Sequence, residues 1–464
     1  MSAAHGTERW TPEQLQAIQA TGRGLLVSAA AGSGKTSVLA QRCVHLVADA
    51  PDRCGIADLL VVTYTEAAAA EMKSRIEAAL RKRLAQGADP HLIRQAATVE
   101  RANISTVHGF CLRLIRQHFH RLGLDPAFRI LDPDEAILLR NDVARELFHD
   151  RFESEDSAAF HALVDAYGGG TDERLVWLVI STHEMLCSLL EPQRWIARAI
   201  EQIDQGSALP LRSSDLGKAF LAGIRAQLDA LSTDCAAAIS AIESMPGFDK
   251  YTQHLLSLQA VLGDWIDAIA AGNYDRAVEA IRDFDPGRFP TVPGATPGWA
   301  TANALARSIH DAMKTGSLRK NLVFSEKQWQ DGLGSIAGHA AMFLQLVEDF
   351  GTAYRREKDR ARALDFSDLE RYALRLLRDE SGDGLAPSPV ARSCHRRFRH
   401  VLVDEYQDIN EVQDAILCLA SRECIASADS TSTLVCVGDV KQSIYRFRLA
   451  EPQRFLSRHA CYLS

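Results

Sequence analysis

The segment AAAGSGKT, from Ala29 to Thr36, constrains the fold of this chain more than any other feature. It follows the apolar run GLLVS and precedes TSVLAQRCVHLVAD, whose apolar spacing predicts a helix. A glycine-rich turn between a buried strand and a helix presents backbone N–H groups to an anion. The segment fits the relaxed phosphate-loop pattern, with Ala29 where the strict pattern has glycine. An ordinary glycine turn with an exposed lysine is the alternative interpretation.

Strand and helix patterns alternate on both sides of a long helical stretch. ADLLVVTYT reads as a second buried strand and EAAAAEMKSRIEAALRKRLAQ as a helix, and the strand signal returns in RHVLVDEYQD and STLVCVGD. This alternation predicts an α/β fold with a parallel sheet and helices on both faces. Between residues 112 and 363 the apolar spacing is helical and strand-like runs are sparse. We therefore expect three parts, residues 1–111, a helical insertion over 112–363, and residues 364–464.

The phosphate-loop residues each have a chemical reason for their type. Gly32 and Gly34 let the backbone approach a phosphate, and Lys35 reaches the terminal phosphates of a nucleotide. The Thr36 hydroxyl is the expected ligand of Mg²⁺. The sequence thus predicts ATP-type phosphate binding with Mg²⁺ as the cofactor.

Two acidic residues and an amide follow the later strands. Asp404 is placed to hold Mg²⁺, and the adjacent Glu405 is placed to act as a general base on water. Two carboxylates after a strand are also common at helix N-caps, which is the alternative interpretation. Gln442 comes shortly after the third strand candidate, where an amide would sense a nucleotide at the sheet's carboxyl edge.

Hydroxyl, aromatic and basic residues indicate contact with a polynucleotide. Small hydroxyl residues that could donate to phosphates, and an aromatic that could stack on a base, follow predicted elements at Thr63, Tyr64, Thr65, Ser105 and Thr106. Tyr445 and Phe447 alternate with Arg446 and Arg448, a pattern typical of single-strand binding. Thr and Tyr are also normal strand residues. The basic clusters at residues 81–83, at Arg113, Arg116 and Arg121, and at residues 395–400 could line the edge of a groove, although most are more simply solvated helix faces.

Taken together, these segments resemble the motor motifs of superfamily 1 DNA helicases of the UvrD/Rep type, in the same order. TPEQLQAI, TYTEAAAAEM, STVHGF, DEYQD and GDVKQSIYRFR are similar to the family's adenine motif and motifs Ia, Ib, II and III. The resemblance implies a RecA-like ATP-binding lobe and adenine recognition by Gln14. It also implies phosphate contacts along the loop, from Ala29, Ala30, Ala31, Gly32, Ser33, Gly34, Lys35 and Thr36.

The same resemblance assigns roles at the remaining motif positions. Thr36 and Asp404 would hold Mg²⁺, and Lys35, Asp404, Glu405 and Gln442 would serve ATP hydrolysis. Single-stranded DNA would contact Thr63, Tyr64, Thr65, Thr106, His108, Tyr445 and Phe447. Arg448 would couple the DNA and nucleotide sites.

A closer likeness is to the A subunits of bacterial ATP-dependent helicase/nucleases. The alanine run in TYTEAAAAEM, the segment LDFSDLE and Phe447 in place of a usual Trp favour it over plain UvrD-type motors, and the exonuclease V beta chain is the nearest competitor. It implies 3'-to-5' helicase and exonuclease activity in recombinational repair of double-strand breaks. It also implies action on single-stranded DNA and duplex ends, and a heterodimer with a B-type subunit.

Motor helicases of this type need a second RecA-like lobe, and the A subunits add a nuclease domain. We expect both to lie outside these 464 residues, because 12 residues follow Pro452. A missing arginine finger alone can cost ~10³ to 10⁵ in rate, so the expectation is ATP binding with weak hydrolysis. A non-catalytic, nucleotide-dependent interaction module is the alternative function.

Composition excludes several other classes. The formal charge of -8 argues against coating nucleic acid by bulk charge, and the 10 cysteines contain no C-x-x-C pair that would indicate zinc or redox chemistry. Neither a signal peptide nor a long apolar segment is recognisable. We therefore expect a protein of the bacterial cytosol, associated with the nucleoid and without a membrane partner.

Overall fold

A five-stranded parallel sheet organises the first and last parts of the chain. The computed structural model describes residues 10–20, 24–30, 32–87, 89–155, 157–382, 384–425, 433–442 and 452–463. The strands of these residues are β1 Leu25–Ser28, β2 Leu59–Thr63, β3 Asn103–Thr106, β4 Arg129–Ile130, β5 Ala363–Leu364, β6 His400–Val403 and β7 Leu434–Gly438.

The sheet order interleaves early and late strands as β1-β7-β6-β2-β3. In the parallel registers Leu25 pairs with Val435 and Leu59 pairs with His400. Because all five strands run the same way, Ser28, Thr63, Thr106, Val403 and Gly438 end at one edge of the sheet. In open parallel sheets this carboxyl edge is where ligands bind. The short β4 and β5 form a separate parallel pair.

Helices surround the sheet and fill the middle of the chain. They are α1 Pro12–Gln19, α2 Lys35–Ala48, α3 Glu66–Leu84, α4 Pro90–Thr98, α5 Val107–Leu122, α6 Pro133–Glu153, α7 Ala158–Tyr167, α8 Glu173–Cys187, α9 Pro192–Ala208, α10 Asp215–Glu243, α11 Asp249–Ala271, α12 Tyr274–Asp283, α13 Trp299–Thr315, α14 Ser317–Asn321, α15 Glu326–Arg360, α16 Phe366–Leu377, α17 Pro389–Arg397, α18 Glu411–Ala420 and α19 Pro452–Leu463. None of the helices in the described residues is long and apolar enough to cross a membrane.

Alternate residues of the strands pack on opposite faces of the sheet. Leu60 and Val62 face a core built with α5, α16, α17 and α18, while Leu59 and Val61 face a second core built with α2, α3 and α4. Strands buried on both faces are apolar throughout, which explains the continuous Leu/Val runs in the sequence. The predicted parallel sheet with flanking helices is confirmed.

The chain divides into two compact units. One comprises residues 1–154, 168–192 and 346–464 and contains the sheet; the other comprises residues 155–167 and 193–345. In its described residues the second unit is helical, with a core of apolar side chains that includes Leu228, Tyr251 and Trp265. The boundaries of the insertion at residues 112 and 363 stay a prediction.

Candidate functional site

The turn after β1 places two glycines in conformations that other residues avoid. Gly32 has φ 73° and Gly34 has φ 80°, both in the left-handed region. The Ala29 N–H donates to the Gly438 carbonyl oxygen at 3.1 Å, so the turn leaves the sheet beside the end of β7. Gly34 is the N-cap of α2, and helix N-termini favour negative charge. Ala31 lies outside the described residues.

Lys35 points its ammonium group back into this turn. Lys35 is 8% exposed, and its Nζ donates to the Ala29 carbonyl at 3.1 Å and to Gln442 Oε1 at 3.2 Å. Both acceptors are neutral, and no carboxylate within the described ranges comes within salt-bridge distance of this nitrogen. The positive charge is therefore available to an anion entering the turn.

Thr36 and Asp404 meet across the site, as the sequence predicts for two ligands of one cation. The Thr36 hydroxyl donates to Asp404 Oδ2 at 3.1 Å. Burial, and then the charge of Glu405, raises the pKa of the Asp404 carboxyl to about 6, against the opposing hydrogen bond from Thr36. The positive charge of Lys35 only partly offsets these two effects, and the carboxylate oxygen together with a hydroxyl oxygen fits a hard divalent cation such as Mg²⁺.

Glu405 has an unusual backbone conformation for a residue with a side chain. Its φ of 52° and ψ of 44° are left-handed, and such strain costs energy that the surrounding contacts must offset. Its carboxylate Oε2 accepts a hydrogen bond of 2.6 Å from Gln407 Nε2. The strained turn and this bond fix where the half-buried carboxylate lies.

Gln407, which no sequence pattern indicated, connects the two acidic segments. Gln407 is 1% exposed, and its Oε1 accepts from the Asp439 N–H at 2.9 Å while its Nε2 donates to Glu405. Asp439 Oδ2 in turn accepts from Gln442 Nε2 at 2.6 Å. A hydrogen-bonded path therefore runs from Lys35 through Gln442, Asp439 and Gln407 to Glu405. The DEYQD segment contains Gln407, but no spacing rule distinguishes it from a surface glutamine.

Gln14 lies beside the turn from the other direction. Its Nε2 donates to the Ser33 carbonyl at 3.0 Å, and it forms a reciprocal capping box with Thr11 at the start of α1. Arg42 of α2 holds the other end of α1 through the carbonyls of three residues, Ala17, Ile18 and Ala20. Arg42 is a second residue that sequence reasoning missed, because its role depends on contacts between helices.

The hydroxyl residues predicted to contact a polynucleotide follow β2 and β3 at the same sheet edge. Thr63 donates to the Thr65 carbonyl at 3.1 Å, and Thr65 caps α3. Thr106 caps α5 and donates to Glu66 Oε1 at 2.8 Å. The hydroxyls thus already shape the two turns, and Tyr64 is half-buried beside them.

His108 belongs to a buried polar network. Its Nε2 is 2.8 Å from Glu370 Oε1, and Glu370 also accepts hydrogen bonds from Asn410 and Gln413. The His108 ring centroid lies 4.9 Å from that of Phe366, a side chain that is 44% exposed. Glu370 and Phe366 were not predicted as site residues, although both lie in the LDFSDLE segment. An exposed aromatic becomes recognisable only in the structure.

One cavity joins the two groups of predicted residues. It has a volume of 450 Å³, and its lining includes Thr63, Tyr64 and Thr65, Asp404 and Glu405, and the pair His108 and Phe366. The structure therefore brings the strand-end hydroxyls and the acidic pair to a shared space. Tyr445, Phe447 and Arg448 lie outside the described residues.

The chain matches known protein families over almost its whole length. Residues 10–462 match the UvrD/REP helicase N-terminal domain. The chain is 36% identical over 463 residues to the A subunit of the ATP-dependent helicase/nuclease of Pelotomaculum thermopropionicum, covering 98% of this chain and 36% of that protein. The identity is 38% over 461 residues (97% of this chain, 36% of the relative) for the corresponding protein of Geobacillus thermodenitrificans. It is 37% over 468 residues (99% and 33%) for that of Moorella thermoacetica. The chain thus spans about a third of the length of these curated relatives.

Proposed function

This chain belongs to the UvrD/REP helicase N-terminal domain family, and we propose that it is an ATP-binding motor lobe that couples ATP hydrolysis to movement along single-stranded DNA. The observation that carries the proposal is the hydrogen-bonded path from Lys35 to Glu405. It links the glycine turn, the acidic pair and the end of β7, and it opens on a cavity that the strand-end hydroxyls share.

Nucleotide binding would begin with an exchange of partners at Lys35. Its ammonium group now donates to two neutral oxygens, and phosphate oxygens would replace them as charged, stronger acceptors. Gln442 would donate to the γ-phosphate through the second N–H of its amide nitrogen, whose first N–H is donated to Asp439. Gln14, which is bonded to the turn through the Ser33 carbonyl, would recognise the adenine beyond the phosphates.

The acidic pair would divide the work of metal binding and proton transfer. Thr36 and Asp404 would hold Mg²⁺, which supplies positive charge against the phosphates. Glu405 would accept the proton of the attacking water, with Gln407 keeping its carboxylate in place. Hydrolysis would therefore depend on a base whose orientation is fixed before substrate arrives.

The shared cavity gives a physical route for coupling to DNA. Thr63, Tyr64, Thr65, Thr106 and His108 would contact the strand at the ends of β2 and β3. Movement of Asp404 or Glu405 on hydrolysis would then alter the cavity wall that faces Thr63, Tyr64, Thr65 and His108. Tyr445, Phe447 and Arg448 complete the proposed contacts and the coupling.

The relatives, which are named as A subunits of helicase/nucleases, support a narrower proposal about the whole protein. We place this chain as the RecA-like lobe, with residues 112–363 as its helical insertion, of a 3'-to-5' helicase and exonuclease that processes duplex ends in double-strand break repair. The lettered name of these relatives agrees with a heterodimer that includes a B-type subunit.

Replacing Lys35 tests the nucleotide site directly. Because a charge-assisted hydrogen bond contributes about 1.5–3 kcal/mol, Lys35→Ala should weaken MgATP binding roughly 10- to 100-fold. The binding is measured by titration calorimetry, with Lys82→Ala, an exposed lysine of α3, as the charge-matched control. Equal MgATP affinity in wild type and Lys35→Ala would refute the assignment of the turn.

A further inference from the structure

The edge strand β3 carries two buried polar side chains that hold arginines. Asn103 and Ser105 are 6% and 5% exposed and lie two residues apart, so they share one face of the sheet, while Ile104 packs in the core on the other face. Arg113 of α5 donates to Ser105 Oγ at 2.8 Å, and Arg397 at the end of α17 donates to Asn103 Oδ1 at 3.1 Å. Two guanidinium groups are thereby fixed side by side at the margin of the sheet.

Both acceptors are oriented by hydrogen bonds of their own. Ser105 donates its hydroxyl hydrogen to the Thr106 carbonyl at 3.1 Å, which turns its lone pairs toward Arg113. The Asn103 amide nitrogen donates to the Ala57 carbonyl at 3.0 Å, which leaves its oxygen for Arg397. The Arg397 guanidinium also lies 5.2 Å from the Phe398 ring centroid. The hydrogen bonds that hold the two arginines thus go to neutral groups, and in the described residues neither arginine forms an ion pair, although the charge of Glu66 acts on Arg113 from a greater distance.

Other arginines of the same unit are paired with carboxylates. Arginines near α2, α3 and α4 pair with carboxylates, in Arg53–Asp89, Arg75–Glu71, Arg81–Glu77, Arg83–Asp49 and Arg399–Asp52. Arg113, Arg397 and Arg116, one turn further along α5, are exposed. Across the described ranges of the chain, no carboxylate lies within 4 Å of these three. The repulsion of Arg397 contributes, after burial, to lowering the pKa of Arg113, in agreement with their proximity.

We propose that Arg113, Arg116 and Arg397, the edge-arginine patch, bind the phosphate backbone of duplex DNA outside the cavity that the acidic pair shares with Thr63, Tyr64 and Thr65. A pair of preorganised guanidinium groups without carboxylates matches adjacent phosphates, which they can contact bidentately. The rings beside Arg113 and Arg397, those of Phe110 and Phe398, are 4% and 3% exposed, so no base can stack on them. A charged surface without exposed aromatic rings suits a duplex, because the bases of a duplex are stacked on each other inside it. Sites for single strands also present aromatic side chains on which the bases stack. The proposal for the edge-arginine patch rests on the proposed function in one respect only, the choice of DNA as the polyanion that binds there.

Salt dependence of duplex binding tests the patch. Each neutralised phosphate contributes about 0.9 to the slope of log K against log salt, so Arg113→Gln/Arg397→Gln should lower the slope by about 1.8. Between 50 and 200 mM salt, wild-type affinity for a fluorescein-labelled blunt duplex should then fall about 12-fold more than that of the variant. Fluorescence anisotropy gives both values. Arg81→Gln/Arg83→Gln, which removes two paired arginines, is the matched control and should leave the slope unchanged.

Two further variants keep the result interpretable if the double variant folds poorly. Arg113→Lys/Arg397→Lys retains the charges and should keep the wild-type slope. Arg116→Gln removes a charge that makes no hydrogen bond within the described part of the chain, and it should lower the slope by about 0.9. Unchanged slopes in both Gln variants would overturn the patch. A wild-type chain that binds labelled oligothymidine but no duplex would also overturn it, while leaving the proposed motor function standing.

Discussion

Gln407 offers the sharpest test of how the acidic pair is held. We consider Gln407→Leu, which keeps the side-chain volume and removes both polar atoms. The side chain is 1% exposed, so water cannot easily replace the lost bond to the buried Asp439 N–H, whereas the half-buried Glu405 carboxylate still has access to water. The substitution therefore separates the hydrogen bonds of this position from its packing.

The expected loss of stability follows from the partners that are left behind. Asp439 is 8% exposed, and an unsatisfied buried N–H costs about 1–3 kcal/mol. The Glu405 carboxylate is half-buried and can regain water, so the loss of its hydrogen bond from Gln407 should cost about 1 kcal/mol. The free energy of unfolding should fall by about 2–4 kcal/mol. MgATP affinity should change far less than in Lys35→Ala, because Gln407 does not contact the glycine turn.

Urea unfolding followed by circular dichroism measures the first quantity, and titration calorimetry measures the second. Gln95→Leu is the matched control, because Gln95 also accepts from a backbone N–H, that of Ile56, at 2.8 Å but lies away from the site. A loss below about 1 kcal/mol in Gln407→Leu would show that the Asp439 amide finds another partner, and would refute the path as drawn. A loss of MgATP affinity in Gln407→Leu as large as that in Lys35→Ala would refute the view that Gln407 positions Glu405 and Lys35 binds the phosphates.

Two further outcomes are expected. Gly438→Ala should lower the free energy of unfolding by about 1–3 kcal/mol, because an added Cβ would collide with Gln407 Oε1 and lie 3.0 Å from Phe455 Cε2. The control is Gly87→Ala, where an added Cβ would lie in open space. Equal urea unfolding midpoints for Gly438→Ala and Gly87→Ala would contradict this expectation. Burial lowers the pKa of His400 to about 4 from 6.5, so the unfolded chain takes up the proton first as the pH falls. Relative to His400→Gln, the free energy of unfolding of the wild type should fall by about 1.4 kcal/mol for each pH unit as the pH is lowered from about 6.5 to about 4. A difference in the free energy of unfolding between wild type and His400→Gln that does not change with pH would contradict this expectation. The comparison with the variant cancels the site aspartates, whose raised pKa acts in the opposite direction.

Local sequence patterns predicted the elements that carry the site, and the Mg²⁺ expected at both Thr36 and Asp404 anticipated one contact between these elements, but the other contacts had no local signature. The Leu/Val runs of β2, β6 and β7 and the glycines of the turn have signatures within a few residues. The contact between Thr36 and Asp404 joins residues 368 positions apart, and that between Lys35 and Gln442 joins residues 407 apart. Such pairs follow from the strand order, which no local period encodes.

Other features lacked a signal of any kind in the sequence. β4 and β5 have two residues each, too few for an alternating pattern to be recognised. The roles of Gln407 and Arg42 arise from burial beside particular backbone groups, which composition does not indicate. Ser105 was predicted as a phosphate donor, yet in the structure its oxygen accepts from Arg113.

The interleaved strand order has a consequence for the time at which the sheet can form during synthesis. β2 pairs with β6, which follows it by about 340 residues, so at ~5–20 residues per second the ribosome delivers the partner roughly 17–70 s later. Until then the apolar β2 has β3 as its only sheet neighbour, with its other edge open. The compact helical unit encoded between them is expected to form during this interval, because helical units generally fold faster than sheets built from distant strands. Nascent chains stalled before residue 400 should therefore be the species most prone to aggregate and most dependent on chaperones.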